Sequence, residues 1–493
     1  MNRIKKRTEI SEFLNYSFFN YLGVFIGVFS NLFIYTSNQE FLGTLRYVES
    51  LSFFVYPFIL MGSSACLIYF SPKLNSSSSS LLFSYTLLSI FRNSIICILL
   101  SWFFVDYLEE FIDIQYLYFA ISLAIFLAFI DLLKKQLLLF NVLALPTILD
   151  NTLPKIILPI IFILMYFNYI NDYYYGISIY VFSFLCIVCF FYIYGSKFYR
   201  IKFNFEELFK SIDKKEYFKY SFFAMSGSLG YIFVFKLDTL MIPNLISFKA
   251  NGIYSIATVA ASVLYIPAKG LFSLYSPKVS YLLKNKEYNV LNVLYKDVSL
   301  SLLFIGLIIY GIFFLGIENI FSLFPAKQVL LDTVSVIYII GLISVINMAS
   351  GFNSEIINFS KFYKFNLIAL TILSFLNLFF NYYFIIVLGY GIEGAACASL
   401  LSIFIFNSTK IIFIYLKLGL FPFDSVFLKL LILQVFILAI FNLIPNHSNS
   451  IINLIIKCGG SLFLQLLIVY KLNWISVYNS TVRKFAAKYL KLF

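Results

Sequence analysis

Residues 219–242 read KYSFFAMSGSLGYIFVFKLDTLMI, and this stretch decides the fold. The short break PNLISFKANG follows, and then a second apolar run, IYSIATVAASVLYIPAKGLFSLYSPK. Each run is long enough to cross a bilayer, which takes about 20 mostly apolar residues. Both runs nevertheless carry charge, at Lys236 and Asp238 in the first and at Lys269 in the second. The stretch therefore predicts two membrane-spanning helices joined by a tight loop, with ionisable groups at membrane depth.

The composition extends this interpretation to the whole chain. Its 493 residues are 61% hydrophobic and only 12% charged, more apolar than a soluble domain of this size. Alternating strand patterns are absent, so an all-α polytopic membrane protein is expected. The net charge of +13 would suggest nucleic acid in a soluble protein. Here the basic residues lie in loops beside apolar runs, so no nucleic-acid partner is expected.

Polar breaks divide the chain into about fourteen candidate spans, and the basic residues orient them. Among Lys and Arg outside the apolar runs, only Arg46, Lys249 and Lys327 fall on the side opposite to the N-terminus. Cytoplasmic loops carry the excess of Lys and Arg, so both termini are predicted to be cytoplasmic. The predicted spans are 14–36, 47–70, 81–104, 114–133, 147–169, 174–195, 219–242, 252–274, 297–317, 329–351, 365–388, 392–416, 427–445 and 451–473.

Two halves of the chain share short patterns in the same order. Tyr16-Ser17-Phe18-Phe19 recurs as Tyr220-Ser221-Phe222-Phe223, and Ser71-Pro72-Lys73 recurs as Ser276-Pro277-Lys278. Two six-helix halves enter the membrane in the same direction, which is a parallel repeat, and transporters built this way place the substrate between the halves. The predicted organisation is an N-terminal lobe (1–195), a basic cytoplasmic linker (196–218), a C-terminal lobe (219–420), and two further helices with a cytoplasmic tail (421–493).

Charges at membrane depth are the candidate binding residues. A Lys or Arg at the centre of a spanning helix costs about 3 kcal/mol on insertion scales, so such residues usually face a cavity or a partner. The predicted substrate-binding residues of a cationic cavity are Arg46, Arg92, Lys236, Asp238, Lys269 and Lys457. For Lys236 and Asp238, snorkelling to the interface is the alternative, and Arg46 and Glu49 are also open to an interfacial role.

No sequence motif indicates an enzyme, a metal site or a cofactor. No GxxxxGK[ST] phosphate loop is present, so ATP hydrolysis by that route is not expected. Cys186 and Cys189 have C-x-x-C spacing, but they lie within an apolar run and are interpreted as helix fillers. The single histidine, His447, lies in a polar break. A transporter without cofactor is therefore expected.

The local patterns resemble those of polysaccharide flippases of the multidrug/oligosaccharidyl-lipid/polysaccharide superfamily. The resemblance covers nearly the whole chain, through helix count, orientation and two extra C-terminal helices. The residues that carry it are Lys236-Leu237-Asp238, Leu240-Met241, Gly252-Ile253-Tyr254-Ser255, Ile266-Pro267, Ser276-Pro277 and Gly389-Tyr390-Gly391-Ile392-Glu393-Gly394-Ala395-Ala396. Unlike lipid II flippases, the first helix carries no charge between Phe13 and Thr36, which argues against a peptidoglycan precursor as the cargo.

The resemblance implies a two-lobed inner-membrane transporter that works by alternating access. Its cargo would be an undecaprenyl-pyrophosphate-linked oligosaccharide, an O-antigen (lipopolysaccharide) or capsule repeat unit, moved to the outer leaflet. Membrane lipids, a polysaccharide polymerase and other assembly proteins would be its partners, and a Na⁺ or H⁺ gradient could drive it. A drug/cation antiporter of the same superfamily is the first alternative, and a membrane polymerase acting on the same lipid carrier is the second.

Overall fold

The computed structural model describes residues 22–110, 112–140, 142, 144–198, 201–202, 204–475 and 478–479. Every regular element in these residues is a helix, and they contain no strand, so the predicted all-α membrane fold is confirmed. The N-terminal and C-terminal tails, whose charges support the predicted topology, lie outside the described residues. The first copy of the Tyr-Ser-Phe-Phe pattern lies outside them as well.

The chain divides into two compact units, residues 1–252 and 253–493. The helices of the first unit are α1 (Leu22–Ser37), α2 (Gln39–Leu60), α3 (Ser63–Phe70), α4 (Ser76–Phe103), α5 (Ile114–Leu139), α6 (Ile148–Tyr166), α7 (Tyr173–Gly195), α8 (Phe205–Ser211) and α9 (Lys214–Leu245). The boundary falls inside α10 (Phe248–Ser262). The helices beyond it are α11 (Ile266–Lys284), α12 (Tyr288–Phe321), α13 (Val334–Ala349), α14 (Asn353–Phe359), α15 (Tyr363–Tyr382), α16 (Gly391–Leu418), α17 (Ser425–Leu443) and α18 (Ser450–Lys471).

Ten of these helices are long and apolar enough to cross a membrane, or twelve if each of two bent pairs counts as one span. All fourteen predicted spans have helical counterparts, but α1 is short and α9 is not among the ten. The chain is therefore a multi-pass membrane protein, and the count of fourteen stays a prediction. The two bent pairs are α2 with α3, at 50°, and α13 with α14, at 48°.

The α2–α3 bend follows from local backbone chemistry. Pro57 lacks a backbone N–H and weakens the last turns of α2. Met61 then adopts a left-handed conformation at φ 42°, and Gly62 follows at φ 69°. A side chain at Gly62 would collide with the backbone carbonyl of Ser221 on α9. The Ser221 hydroxyl also donates a hydrogen bond to the Met61 carbonyl oxygen, so the bend is joined to α9.

Helix α9 packs in the first unit, whereas its sequence placed it at the start of a C-terminal lobe. Its contacts with α2 explain this grouping. The Ser50 and Thr239 hydroxyls lie 2.6 Å apart, and Lys236 of α9 lies over the ring of Phe53. The lobes predicted from the repeat stay a prediction, since the compact units divide the chain at a different point.

The second unit is built around α12, a helix of 34 residues. Its inner faces pack against α11, α13 and α17 in two apolar clusters. Interhelical hydrogen bonds supplement this packing. Asn377 of α15 donates to the Ser399 hydroxyl of α16 at 3.0 Å, and Asn407 of α16 donates to Asn347 of α13 at 2.8 Å. Both hydrogen bonds join different helices of the second unit.

Candidate functional site

Four side chains of α2 form a polar and aromatic stripe. Arg46, Glu49, Phe53 and Tyr56 follow one another at intervals of three or four residues, so they lie on one face of the helix. Helix α2 packs against α5 and α9 in the first unit. The stripe therefore points into the first unit, where it contributes to two neighbouring polar sites.

The first site is a buried ion-pair cluster formed by Arg46, Glu49, Tyr180 and Lys236. The Arg46 Nη1 donates to Glu49 Oε2 at 2.6 Å, and the Tyr180 hydroxyl donates to Glu49 Oε1 at 2.7 Å. Glu49 is only 7% exposed and Tyr180 only 5%. A carboxylate buried this deeply needs such partners, because an isolated buried charge costs several kcal/mol.

Lys236 reaches the ion-pair cluster from α9. Its Nζ lies 4.8 Å from the centroid of the Phe53 ring, a cation–π contact, and it interacts electrostatically with Glu49 and Arg46. Among the described residues of this cluster, two cations thus face one carboxylate. The surplus positive charge is held at membrane depth, where it favours an anionic group.

The second site, the acidic cavity, lies one to two turns further along the stripe. It has a volume of about 560 Å³. Its two carboxylates belong to Asp131 on α5 and Asp150 on α6. The lining residues are Phe53, Tyr56, Leu127, Ile130, Asp131, Asp150, Ala224, Gly227, Ser228 and Ile232.

The carboxylates of the acidic cavity are held by partners from other helices. Tyr56 interacts electrostatically with Asp131, and Lys134 forms an ion pair with Asp150. Asp150 lies in a single π-helical turn, Ile148–Thr152, that opens α6. Such turns are rare and occur frequently at functional sites. With two carboxylates and one paired lysine, this cavity suits a cationic group or a proton.

The structure brings together only part of the predicted set. Arg46 and Lys236 meet around Glu49, as described, and Asp238 is half-buried on the same helix as Lys236. Arg92 is exposed and lines a separate hollow on α4. Lys269 and Lys457 belong to the second unit.

Lys269 and Lys457 have different surroundings in the second unit. Lys269 is exposed near the start of α11. Lys457 is only 6% exposed, and its Nζ donates to Asn446 Oδ1 at 2.6 Å. Asn446 lies in the turn between α17 and α18, so the hydrogen bond from Lys457 joins α18 to this turn. The role of both lysines in substrate binding stays a prediction.

Three charged residues inside helices were not among the predicted binding residues. Asp131 and Asp150 are half-buried, and Asp131 is the only charged residue of the predicted span 114–133. Lys410 is 1% exposed inside α16. Its Nζ donates to the Ser354 hydroxyl at 2.6 Å and lies 4.2 Å from the ring centroid of Phe406. Each of the three residues could have been selected from the sequence, because each is a charged residue inside a predicted span.

No family model matches the sequence, and no curated protein matches it significantly. Solved structures do match. The inward closed conformation of the lipid II flippase MurJ aligns with a TM-score of 0.67 at 17% identity, over 94% of this chain and 99% of the flippase. An inward-facing multidrug resistance MATE family transporter of the MOP superfamily aligns with a TM-score of 0.63 at 11% identity, over 80% of this chain and 94% of that transporter.

A MATE transporter of Vibrio cholerae also matches, with a TM-score of 0.51 at 14% identity, over 82% of this chain and 96% of its own. These alignments extend over most of both chains. The chain therefore has the fold that the lipid II flippase MurJ shares with these MATE transporters. Identities this low establish the fold alone, so they do not decide between an oligosaccharide-lipid and a drug as the cargo.

Proposed function

We propose that the protein is a transporter that flips an undecaprenyl-pyrophosphate-linked oligosaccharide, an O-antigen or capsule repeat unit, across the bacterial inner membrane. It works by alternating access. The cargo moves from the cytoplasmic to the outer leaflet, and a polysaccharide polymerase and other assembly proteins use it there. The fold supports a transporter, because its solved examples are a flippase and multidrug transporters.

The observation that carries the lipid-linked cargo is the surplus cation of the ion-pair cluster. Arg46 and Lys236 share the single carboxylate of Glu49, so this cluster holds one positive charge in excess. An ammonium at membrane depth attracts a pyrophosphate through charge-assisted hydrogen bonds. Arg46 supplies further donors, and Asp238, Lys269 and Lys457 are proposed to contribute at other stages of the transport cycle.

A drug/cation antiporter is the second candidate, and the acidic cavity favours it. Asp131 and Asp150 face an otherwise mostly apolar cavity of about 560 Å³, a size and lining that suit an amphipathic cation. Under the flippase proposal the same carboxylates would instead carry the coupling cation, H⁺ or Na⁺. The two functions therefore assign different occupants to the acidic cavity: the coupling cation in a flippase and the drug in an antiporter.

Deletion of the gene followed by complementation separates the two functions. The flippase proposal predicts that deletion removes surface polysaccharide and that the lipid-linked precursor accumulates on the cytoplasmic side. Lys236→Ala should fail to restore export, whereas the charge-preserving Lys236→Arg should restore it in part. The amount of each variant in the membrane is measured as the control. Unchanged polysaccharide together with increased sensitivity to cationic drugs would establish the antiporter and reject the flippase.

A further inference from the structure

Arg92 occupies an unusual position on α4. Its side chain is exposed, and so are its apolar neighbours Phe91 (56%), Ile95 (43%) and Ile96 (46%). Helix α4 is long and apolar enough to cross a membrane. A guanidinium among exposed apolar side chains on such a helix is costly unless an anion or water reaches it.

The hollow around Arg92 leaves much of the guanidinium available. Its Nε and Nη2 donate to Asn93 Oδ1 at 3.3 and 3.2 Å, and Asn93 is itself fixed by a 3.0 Å bond to the Ile59 carbonyl oxygen. Arg92 forms no ion pair with any residue that the structure describes. A guanidinium has five N–H donors, so a second ligand can be accommodated. The hollow of about 380 Å³ is lined by Tyr85, Leu88, Ser89, Phe91, Arg92, Ile95, Ile96 and Phe205.

The linker helix α8 indicates the depth of this hollow. Its Phe205 and Phe209 rings pack against Tyr85 at 5.5 and 5.2 Å between centroids, while Leu208 is fully buried. Glu206, Glu207 and Lys210 of the same helix are exposed. A short helix with one apolar and one charged face lies at the membrane–water interface.

The direction of the Arg92 side chain brings the guanidinium towards this interface. Side chains of an α-helix tilt towards its N-terminus, and the N-terminal part of α4 is the part covered by α8. Tyr85 interacts electrostatically with Arg92 from two turns nearer to that end. The hollow that Arg92 lines also includes Phe205 of the linker helix, so it extends from the middle of α4 towards the side of the membrane where the linker lies.

We propose that this hollow binds the phosphate of an anionic phospholipid from the adjoining leaflet. Arg92 contacts the phosphate, and the hydroxyls of Ser89 and Tyr85 lie within the same hollow. The acyl chains lie along the exposed apolar face of α4, beside Ile95 and Ile96. In this proposal Arg92 binds a phosphate of the bilayer, instead of the phosphate of a transported substrate in the predicted cationic cavity. It does not depend on what the protein transports.

The test uses the full-length protein, purified in mild detergent and titrated with phosphatidylglycerol or phosphatidylcholine. Binding is measured by native mass spectrometry. We expect phosphatidylglycerol to bind more tightly than phosphatidylcholine, and Arg92→Gln to weaken its binding about tenfold, about 1.4 kcal/mol. Lys284→Gln, which removes one exposed charge from the end of α11, is the matched control and should bind like the wild type.

Ile96→Trp is the second variant, because it fills the apolar end of the hollow and leaves the charge intact. It should also weaken binding of phosphatidylglycerol, even if Arg92→Gln does not fold. Equal binding of phosphatidylglycerol by the wild type and both variants would overturn the proposal. So would an Arg92-dependent site that takes polyprenyl phosphate and excludes phosphatidylglycerol, because the ligand would then be cargo. Neither result affects the flippase assay, which measures export in cells.

Discussion

At the scale of single residues, the buried carboxylate of Glu49 brings two cations and a tyrosine together in the first unit. It accepts one hydrogen bond from Arg46 and another from Tyr180, and each of its carboxylate oxygens has one of these partners. Lys236 adds a second cation to the same cluster. Because the charges come from α2 and α9 and the hydroxyl from α7, the cluster joins three helices.

We expect Glu49→Gln to destabilise the protein more than Tyr180→Phe does. The amide leaves the Arg46 and Lys236 cations without their counter-charge, a loss of about 3–5 kcal/mol for a broken buried pair. The phenylalanine removes one hydrogen bond to a charged group, about 1.5–3 kcal/mol. Thermal unfolding of the purified variants in one detergent measures both. A Glu49→Gln protein as stable as the wild type would show that the cluster does not contribute to stability.

A second expectation at this scale concerns Gly227 in the acidic cavity. A Cβ built at Gly227 has no atom within 4 Å, so the position opens into the cavity. Gly227→Phe should fill the cavity and abolish transport, while the protein still folds. Complementation of the deleted gene measures transport, and a fluorescent fusion measures folded protein in the membrane. Full activity of a well-folded Gly227→Phe variant would exclude this cavity from the transport route.

At the scale of helices, close crossings depend on glycine. An added Cβ at Gly43 of α2 would collide with the backbone carbonyl of Phe248 in α10, and one at Gly252 would collide with the carbonyl of Gln39. The Asn251 amide donates to the Gly43 carbonyl oxygen at 2.8 Å across the same crossing. Because the colliding atoms belong to the backbone, they cannot move aside as a side chain would.

We therefore expect opposite effects from the same substitution at two glycines. Gly43→Ala should destabilise the protein by about 1–3 kcal/mol or more, the cost of overpacking. Gly227→Ala, in a helix with open space around it, should be neutral or stabilising by up to about 1 kcal/mol. Comparing the thermal unfolding of the two variants tests this. Equal stability of both would show that α2 and α10 can separate at no cost.

The bend between α13 and α14 is the corresponding feature of the second unit. Gly351 adopts φ +58° there, and a Cβ on it would contact the ring of Tyr295 at 3.0 Å. Asn407 of α16 bonds to both sides of the bend: its Nδ2 donates to Asn347 Oδ1 at 2.8 Å, and its Oδ1 accepts from Asn353 Nδ2 at 2.7 Å. One side chain thus holds the two helices of the bent pair.

Asn407→Leu should release this bend. The replacement leaves Asn347 and Asn353 without their shared partner, and each unsatisfied buried group costs about 1–3 kcal/mol. We expect a lower unfolding temperature and faster proteolysis near residues 350–352. Thr409→Val, which removes an exposed hydroxyl from the same helix, is the control. Proteolysis at the wild-type rate in Asn407→Leu would contradict the role of Asn407.

At the scale of the whole molecule, the sequence predicted the class of protein more reliably than the grouping of its parts. Hydropathy located a helix at each predicted span, since about 20 apolar residues in a row must form a helix in lipid. The bends at Met61–Gly62 and at Gly351 were not predicted: the predicted span 47–70 continues through the first, and the predicted span 329–351 ends at the second. The grouping of α9 with α2 was also not predicted, since a repeat in sequence does not specify which helices pack together.

The sequence by itself determined that the chain is an α-helical membrane protein with several ionisable residues in its spans. Hydropathy and charge are properties of short segments, so they can be read directly along the chain. Only the tertiary structure decided which charges meet: Arg46 and Lys236 at Glu49, Asp150 at Lys134, and Lys410 at Ser354. Except for Arg46 and Glu49, which lie one turn apart on α2, these contacts join different helices. Burial and proximity between two helices cannot be predicted from the local sequence pattern of either helix.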